Sequence, residues 1–300
     1  MNLKLRYLTL AICAMLSASG YAEETYNFEL GVGYGSQKKD DGTKITSLIP
    51  GIAYYFTPIK SNDSEPFDEL AFLQRSSDLT LVYTNMTYET TNFNKATLNP
   101  FLVSGTFYIK DFAFELSNNS FSNTNLVSKT DSTKYIGIKN NDTSIKLGYF
   151  IFPKSLLSYE YSDGKATYTP SSSLGTTINP QKTTKNSIIS HSVVGLENSS
   201  SVAFDLNYSQ IKQVQDKTEK NNEYVFAIKF YPQSTFFIEG GYKINTGDSL
   251  SDKGKTFSIG AGYAFNHNLH FQISNDSFTV DDSTQQSSAK STKVGMLYRF

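Results

Sequence analysis

Three histidines are the side chains best suited to acid–base or metal chemistry in this chain: His191, His267 and His270. His267 and His270 fall in a predicted tight turn, and two imidazoles alone do not complete a metal site. His191 lies between Ser190 and Ser192 in a predicted strand, where adjacent side chains point to opposite faces. A serine nucleophile needs its base at hydrogen-bond distance, so this arrangement does not indicate a hydrolase.

The adjacent carboxylates Asp68 and Glu69 are the second place where acid–base chemistry could occur. Neighbouring side chains point apart on a helix and on a strand, so the two carboxylates make a poor acid–base pair. The chain has no Gly-x-Ser-x-Gly motif, and its single cysteine, Cys13, lies in an apolar stretch near the N-terminus. The sequence therefore predicts no catalytic residues, no cofactor and no metal site.

The first 22 residues have the pattern of a secretory signal peptide. Lys4 and Arg6 precede an apolar run over 8–16, and small residues follow it up to Ala22. This run is shorter than the ~20 residues that a membrane-spanning helix needs. We expect cleavage after Ala22, and the exported part, 23–300, then contains no cysteine and forms no disulfide.

Composition and charge narrow the function classes. With 27 basic and 28 acidic residues the formal net charge is −1, so no basic surface for nucleic acid is expected. No apolar run after residue 22 is long enough for a membrane helix. The chain has 20 Tyr and 22 Phe but no Trp. Many aromatic residues in a polar chain are typical of strands that are apolar on one face only.

Apolar and polar residues alternate with a period of two along most of the exported chain. Tyr26, Phe28, Leu30, Val32 and Tyr34 alternate with polar or small residues, so the pattern predicts that these five share one face. Segments of ~10 such residues separated by turn-rich stretches are typical of membrane β-barrels. The predicted strands are 26–35, 44–57, 78–90, 95–109, 111–122, 142–152, 155–166, 186–197, 199–213, 221–232, 234–246, 255–266, 268–280 and 290–300.

The connections between these strands are of two kinds. Short ones have aromatic flanks, as at 152–155 and 230–237. Long polar ones span 36–44, 161–186, 213–223, 245–255 and 280–292. Outer-membrane barrels have tight turns on the periplasmic side and long loops outside. We expect the longest connection, 161–186, to be an extracellular loop or one that folds inward and constricts the barrel.

These patterns predict an all-β fold, a transmembrane antiparallel β-barrel of about 14 strands. Counts of about 12 to 16 stay open because the stretch 123–141 can be assigned to a strand or to a loop. An even number places both termini on one side, and closure removes the unpaired edges that lipid would not tolerate. The barrel is expected to occupy 23–300 as a single domain.

The last eight residues, KVGMLYRF, form a predicted strand with an apolar side chain at every second position. Within it, Lys293, Gly295, Tyr298 and Phe300 have a spacing that resembles the C-terminal assembly signal of outer-membrane barrels. In those proteins the barrel-assembly machinery reads the last strand. The resemblance implies that the same machinery is a partner of this chain.

One stretch, 57–78, departs from the alternating pattern. It is too long for a tight turn, and the order of the strands places it on the periplasmic side. Leu70, Phe72 and Leu73 are mixed with Asp68 and Glu69, which permits one short helical turn. We interpret it as a plug or rim segment packed at the mouth of the barrel.

A family resemblance lies in the same region. The residues that carry it are Tyr54, Tyr55, Phe56 and Pro58, followed by Pro66, Phe67, Glu69, Leu70, Ala71, Phe72, Leu73, Arg75, Ser76 and Ser77. This run resembles an early segment of the general bacterial porin family, whose barrels end on Phe. The resemblance implies an outer-membrane pore and no catalytic residue. No match to the acidic constriction loop of the trimeric porins is present, so the choice between monomer and homo-oligomer stays open.

The polar face of the strands predicts the lining of a pore. Nine charged side chains belong to it: Glu29, Glu115, Lys146, Glu160, Asp205, Lys229, Glu239, Lys243 and Arg299. A water-filled channel tolerates charges of both signs, whereas a dry core would require each one to be paired. The sequence therefore predicts a porin for passive diffusion of small hydrophilic solutes or ions.

Two alternatives to a porin remain from the sequence alone. A non-conducting barrel could act as an adhesin or receptor through its extracellular loops, and an outer-membrane hydrolase is the less favoured alternative. In every case the expected location is the cell outer membrane. The expected partners there are outer-membrane lipid and lipopolysaccharide, together with the solutes if the barrel conducts.

Overall fold

The computed structural model of the chain describes residues 25–62, 64–90, 94–129, 135–171, 178–196, 200–247, 253–280 and 287–300. These residues form a closed antiparallel β-barrel of 14 strands. The strands are β1 (Thr25–Lys39), β2 (Lys44–Lys60), β3 (Asp78–Tyr83 and Asn85–Glu89), β4 (Ala96–Leu98 and Phe101–Ile109), β5 (Phe112–Val127), β6 (Tyr135–Phe152), β7 (Ser155–Pro170), β8 (Gln181–Gly195), β9 (Ser201–Val214), β10 (Thr218–Gln233), β11 (Phe236–Gly247), β12 (Gly254–Ala264), β13 (Leu269–Val280) and β14 (Ser287–Arg299).

Strands β3 and β4 are each interrupted once without losing register. On β2, Gly51 pairs with Val82 and Leu48 pairs with Asn85, so both segments of β3 continue one ladder. The break lies beside Pro50 of β2, which has no N–H to donate. Pro100 interrupts β4 in the same way, although its carbonyl still accepts the backbone N–H of Thr84 at 2.8 Å.

The barrel closes between the first and the last strand. β1 pairs with β2 on one side and with β14 on the other, with Gly31 opposite Gly51 and Gly33 opposite Gly295. Closure satisfies the backbone of both edge strands, as a sheet in lipid requires. The predicted all-β closed barrel and its strand number are confirmed.

Side chains alternate between the two faces of the sheet, and the outer face carries an apolar belt. Phe56, Leu147 and Phe257 are each more than half exposed on it. At the end of the belt away from the chain termini, tyrosine hydroxyls donate to asparagines of neighbouring strands, as in Tyr159 to Asn186 at 2.6 Å. Such polar-tipped aromatic rings are typical of the boundary between an apolar layer and water.

The end of β14 lies on this outer face. The Phe300 ring stacks on Phe28 with centroids 5.4 Å apart and on Tyr298 at 6.1 Å. Leu297 and Arg299, of the opposite parity, line the interior. The alternation expected for the last eight residues is therefore present.

One predicted face is wrong at its first residue. Tyr26 does not lie with Phe28 on the outer face, because the register with β2 shifts between these two residues. The bulge turns Tyr26 inward, where its side chain is buried against Tyr55 with ring centroids 5.9 Å apart. An irregularity that shifts the register by an odd number of residues changes the face of the residues before it.

The strands are longer than predicted at the end away from the termini. β7 runs to Pro170 and β8 begins at Gln181, so most of the predicted loop 161–186 is strand, and residues 172–177 of the shorter connection lie outside the described residues. β9 and β10 likewise continue to a turn at 215–217. Above the apolar belt both faces meet water, so these strand ends lack the alternation that predicts a strand. The predicted signal peptide, 1–22, also lies outside the described residues.

The stretch between β2 and β3 folds into the barrel at the end that holds both termini, which we call the terminal end. It contains a 3-10 turn (Phe67–Glu69) and the single-turn helix α1 (Leu70–Leu73). We call residues 64–77 the insert. No helix among the described residues has the length and apolar character to cross a membrane.

Candidate functional site: the lumen and its insert

Apolar contacts fix the insert inside the barrel. Phe67 and Leu70 are buried in a cluster with Tyr26, Tyr55 and Ile59 of β1 and β2. On the far side Phe72 stacks on Phe150 of β6, with ring centroids 5.4 Å apart. The insert therefore touches opposite walls and crosses the lumen at the terminal end.

Glu69 is the buried acid at the centre of the insert, with only 7% of its surface exposed. One carboxylate oxygen accepts a hydrogen bond from the Tyr231 hydroxyl of β10 at 2.8 Å. The other lies 3.0 Å from Nε2 of His191 on β8, whose Nδ1 lies 2.6 Å from Asp205 on β9. A single carboxylate thus connects the insert to two strands directly and to a third through the imidazole.

Asp68 points to the other side of the insert. Its two oxygens lie 3.5 Å from Nζ of Lys229 and 3.5 Å from Nδ1 of His270. Burial works to raise the pKa of Asp68, but the hydrogen bond from His270 and the charge of Lys229 outweigh burial and hold that pKa below its usual value. Asp68 is therefore ionised at neutral pH.

Arg299, the last residue of β14, is a buried cation in the lumen. Its Nε donates to Glu29 at 2.7 Å, and its Nη1 donates to the carbonyl of Phe67 at 2.9 Å and to Nε2 of His270 at 3.0 Å. Tyr55 donates to the second oxygen of Glu29 at 2.9 Å. The guanidinium joins the barrel seam to the backbone of the insert.

Polar contacts at the rim complete the attachment. Arg75 forms an ion pair with Asp111 at 2.8 Å and donates to the carbonyl of Lys110 in the β4–β5 turn. Lys154 in the β6–β7 turn pairs with Glu65 at 3.0 Å. These pairs are partly exposed and each contributes on the order of 0–1 kcal/mol, so the buried contacts dominate the docking of the insert.

A cavity of about 710 Å³ lies above the insert, with Phe67, Asp68 and Ala71 as its floor. One side of it is smooth and apolar. Small or apolar residues of β14 and β1–β3 form this wall: Gly31, Gly33, Ile45, Ile49, Gly51, Val82, Met86, Gly295 and Leu297. We call these nine residues the apolar wall; Ser47 of β2 and Lys293 of β14 also line the cavity beside them.

The remaining circumference forms a polar wall. On β5 and β6 Glu115 pairs with Lys146. Towards the end away from the termini, Glu223 of β10 pairs with Lys243 and, at 3.4 Å, with Lys185. The side chains of these groups are partly exposed in the lumen.

The nine predicted pore-lining residues have the strand parity opposite to the exposed apolar belt, and Glu29, Lys229 and Arg299 line the cavity; that the nine line a pore stays a prediction. Six of them form three contacts or cross-strand pairs among themselves: Glu29 with Arg299, Glu115 with Lys146, and Lys229 opposite Glu239. Glu160 lies opposite Lys146, Asp205 pairs with His191, and Lys243 pairs with Glu223. Of the predicted assembly signal, Lys293 and Gly295 face inward, and Tyr298 and Phe300 face outward.

Sequence reasoning missed the residues that fasten the insert. His191, His270 and Tyr231 were not among the predicted site residues, although their strand parity matches that of Asp205, Gln272 and Lys229. The alternation along each strand would therefore have been enough to predict that these three side chains point into the barrel. Their partners Asp68 and Glu69 lie far away in the sequence, so no local spacing signals the contacts.

Comparison with known proteins supports the barrel fold but does not assign the chain to a family. No protein-family model matches the chain, and no curated protein matches it. Among solved structures, the outer membrane protein Omp33 of Acinetobacter baumannii aligns with a TM-score of 0.52 and 11% identity, covering 93% of this chain and 100% of that chain. The monoaromatic hydrocarbon channel CymD aligns with a TM-score of 0.57 and 12% identity, covering 92% and 89%.

A third structure, the deltaS2S3 mutant of the monoaromatic hydrocarbon channel TodX, aligns with a TM-score of 0.53 and 10% identity, covering 95% of this chain and 93% of that chain. Identities this low show a shared barrel fold alone. Membership of the general bacterial porin family, which the run over 54–77 resembles, stays a prediction.

Proposed function

We propose that this protein is an outer-membrane channel for passive diffusion of small hydrophilic solutes or ions, closed at its periplasmic end by the insert. The observation that carries the proposal is a large cavity, lined by apolar residues and by charged ones, above the docked insert. A barrel built only for rigidity would fill this space with wall side chains. Here a cavity of about 710 Å³ remains instead.

The apolar belt supports the membrane location. Exposed apolar surface of this extent is rare on a protein in water and is expected in contact with lipid. A barrel in the outer membrane has its termini and tight turns in the periplasm, which places the insert there. Outer-membrane lipid, lipopolysaccharide and the barrel-assembly machinery are then the partners of the chain, and a homo-oligomer is compatible with the belt.

The two walls define the proposed solute. Charged groups of both signs on the polar wall favour solutes that carry hydrogen-bonding groups. The apolar wall opposite accommodates an aliphatic or aromatic portion without unsatisfied polar groups. No catalytic role is proposed, and the channels CymD and TodX give weak support to a transport role.

Conductance across a planar bilayer tests the proposal. The wild-type protein should give small or intermittent currents, and a variant with 64–75 replaced by a short Gly-Ser turn should give a stable current at least severalfold larger. The matched control replaces the β9–β10 turn, 215–217, by the same linker and should behave as the wild type. Silence from both the wild type and the shortened variant would instead favour the adhesin or receptor alternative.

The apolar wall favours a second candidate, a channel for small apolar solutes. Binding of a monoaromatic compound to the protein in detergent, followed by equilibrium dialysis, separates the two. Swelling of protein-containing liposomes in sugars without such binding supports the hydrophilic channel. Saturable binding that is lost on replacing Gly33 by Phe supports the second candidate.

A further inference from the structure

We propose that four lysines on the outer face of β7–β10 form a binding site for a phosphorylated glycolipid of the outer leaflet, the membrane anchor of lipopolysaccharide. We call Lys165, Lys182, Lys212 and Lys220 the lysine patch. The inference needs the proposed outer-membrane location of the barrel, but it does not need conduction. It assigns a ligand to a surface that the proposed channel function does not use.

The lysine patch lies on the same face of the sheet as the apolar belt. On β7 Lys165 follows the exposed Tyr161 by four residues, and on β9 Lys212 follows the exposed Tyr208 by four, so each lysine shares a face with its tyrosine. The other two members lie directly opposite these lysines on β8 and β10, and side chains directly opposite in an antiparallel sheet share a face. All four lysines are exposed.

Within the patch, lysine lies opposite lysine. Lys165 of β7 is paired in register with Lys182 of β8, and Lys212 of β9 is paired with Lys220 of β10. The Cβ atoms of such pairs lie about 4.5–5.5 Å apart, and like charges at this distance repel each other. The patch spans four adjacent strands, which is about 15 Å at the usual strand spacing. It therefore concentrates positive charge on a small area.

The inner face of the same strands is arranged differently. There Lys185 of β8 forms an ion pair with Glu223 of β10 at 3.4 Å. On the outer face, Lys165, Lys182 and Lys212 form no ion pair within the part of the chain that the structure describes. The chain thus supplies a counter-charge in the lumen and leaves it out on the patch. This contrast favours an anion from outside the chain as the partner of the patch.

Two acidic residues lie near the patch. Asp163 of β7 is on the outer face two residues before Lys165, and its carboxylate forms no ion pair among the described residues. Asp216 in the β9–β10 turn accepts a hydrogen bond from the side-chain amide of Asn179 at 2.7 Å. Lys217 in the same turn adds a further cation. An excess of positive charge therefore remains at this end of β7–β10.

Three rows of outer-face side chains follow one another along β7–β10, going away from the belt. The first row contains tyrosines at its polar boundary, such as Tyr208, whose hydroxyl donates to Asn222 at 3.2 Å. The second row consists of short polar side chains: Asp163, Thr184, Gln210 and Asn222. The third row is the lysine patch. A glycolipid offers acyl chains to the belt, and sugar hydroxyls and phosphates to the two rows beyond it.

The height of the patch matches a lipid headgroup. The lysines follow the tyrosines by about 13 Å along the strand. A strand tilt of about 40° reduces this to roughly 10 Å along the membrane normal. The headgroup layer is about 5–8 Å deep on each side of the hydrocarbon. The flexible lysine stems can therefore place their ammonium groups against phosphates at the outer edge of this layer.

The chemistry of the two polar rows selects the class of lipid. An ammonium group makes charge-assisted hydrogen bonds to phosphate, so the lysine patch suits phosphate groups. The Asp163 carboxylate would repel a phosphate, but it accepts hydrogen bonds from sugar hydroxyls. The amide and hydroxyl side chains of Gln210, Asn222 and Thr184 also suit sugar hydroxyls. The surface therefore fits a phosphorylated sugar better than a phosphate group alone.

Native mass spectrometry of the protein refolded into detergent measures the binding. The probe is lipid A, the phosphorylated glucosamine anchor of lipopolysaccharide, and EDTA removes divalent cations that could bridge it to carboxylates. The diphosphorylated form should bind at least about tenfold more tightly than dephosphorylated lipid A and than phosphatidylglycerol. Equal binding of the dephosphorylated form overturns the role of phosphate. Equal binding of phosphatidylglycerol overturns the assignment to a glycolipid.

Lysine variants test the patch itself. Lys165→Gln/Lys182→Gln removes one opposed pair and should weaken lipid A binding about 25-fold, since each lysine near an anionic surface contributes about fivefold. Adding Lys212→Gln should weaken it about fivefold more. Lys60→Gln/Lys110→Gln is the matched control, because it removes the same charge from exposed lysines at the terminal end. It should change binding less than about twofold. Equal weakening in the double variant and the control, or none in either, overturns the inference.

Stability without lipid distinguishes a ligand site from a structural role. Different electrophoretic mobility of heated and unheated samples verifies that each variant is a folded barrel. In lipid-free detergent, Lys165→Gln/Lys182→Gln should unfold at the same or a higher urea concentration than the wild type, because it removes a repulsion. Unfolding at a lower urea concentration would show that the chain itself uses these charges and would overturn the inference.

Two further measurements separate the remaining alternatives. Complete displacement of lipid A by millimolar inorganic phosphate would identify a site for free phosphate and overturn the assignment to a lipid. Planar-bilayer recording separates the inference from the channel function. Phosphate-dependent lipid A binding in a protein that never conducts overturns the proposed function and leaves the inference standing. Conduction without such binding overturns the inference alone.

Discussion

Charged side chains point into the lumen at both of its ends, but they differ in how deeply they are buried. At the terminal end, Arg299 is 3% exposed and donates to the Phe67 carbonyl of the insert, and Glu69 of the insert is 7% exposed and accepts from Tyr231. At the other end, Lys293 pairs with Asp276 at 2.8 Å but keeps 60% of its side chain exposed. Inward charged side chains are therefore buried where the insert supplies partners, and Lys293, which has its partner on a neighbouring strand, stays exposed.

Breaking the buried ion pair between Arg299 and Glu29 should cause the largest loss of stability among these variants. Arg299→Met leaves Glu29 buried without its cation and should destabilise the docked end by about 3–5 kcal/mol. Urea unfolding of protein refolded into detergent measures this. The double variant Arg299→Met/Glu29→Gln removes both charges and should recover much of the loss. Equal losses in the single and double variants would show that the Arg299 contact to Phe67, and not charge burial, dominates.

Removing a neutral donor that binds a carboxylate of the insert should have a smaller effect. Tyr231→Phe removes the donor to buried Glu69 and should cost about 1–3 kcal/mol, since the acceptor keeps its desolvation without its partner. The same unfolding experiment measures it. Tyr208→Phe is the matched control, because that hydroxyl donates to Asn222 on the outer face at 3.2 Å. A loss in Tyr208→Phe as large as in Tyr231→Phe would remove the contrast between docked and exposed sites.

Removing a charge from the lumen at the end away from the termini should change the ion selectivity and hardly change the free energy of unfolding. Lys243→Ser takes one of two cations from Glu223 and should shift ion preference towards cations, with a stability change within ~0.5 kcal/mol. The reversal potential in a salt gradient measures the preference. Lys44→Ser is the control. Lys44 lies at the same end of the barrel, but its position on β2 places it on the outer face and not in the lumen. A larger shift for Lys44→Ser would place selectivity outside the lumen.

The parts of the structure that depend on strand periodicity could be predicted from the sequence. The 14-strand count, the alternation up to Phe300 and the inward position of the nine charged residues all follow from a repeat of two. Tyr26 could not be assigned, because a bulge changes parity without a marker in the sequence. The strand ends around Pro170 and Gln181 were missed because water on both faces removes the alternation.

The candidate site was only half predictable for a related reason. Wall residues such as Lys229 are identified by their parity, but the insert has no period of two. Its contacts, such as Glu69 with Tyr231, join residues 162 positions apart. Neither propensity nor spacing encodes which wall group a given carboxylate of the insert will meet.

The contact between Arg299 and the carbonyl of Phe67 has a consequence for the order of assembly. Arg299 can reach this carbonyl only after β14 has paired with β1, because that pairing brings it beside Glu29. A barrel in which β14 has not yet paired therefore lacks the Arg299 hydrogen bond that holds the insert. Closure of the barrel and docking of the insert are therefore expected to occur together during assembly, with the pairing of β14 with β1 as their shared step.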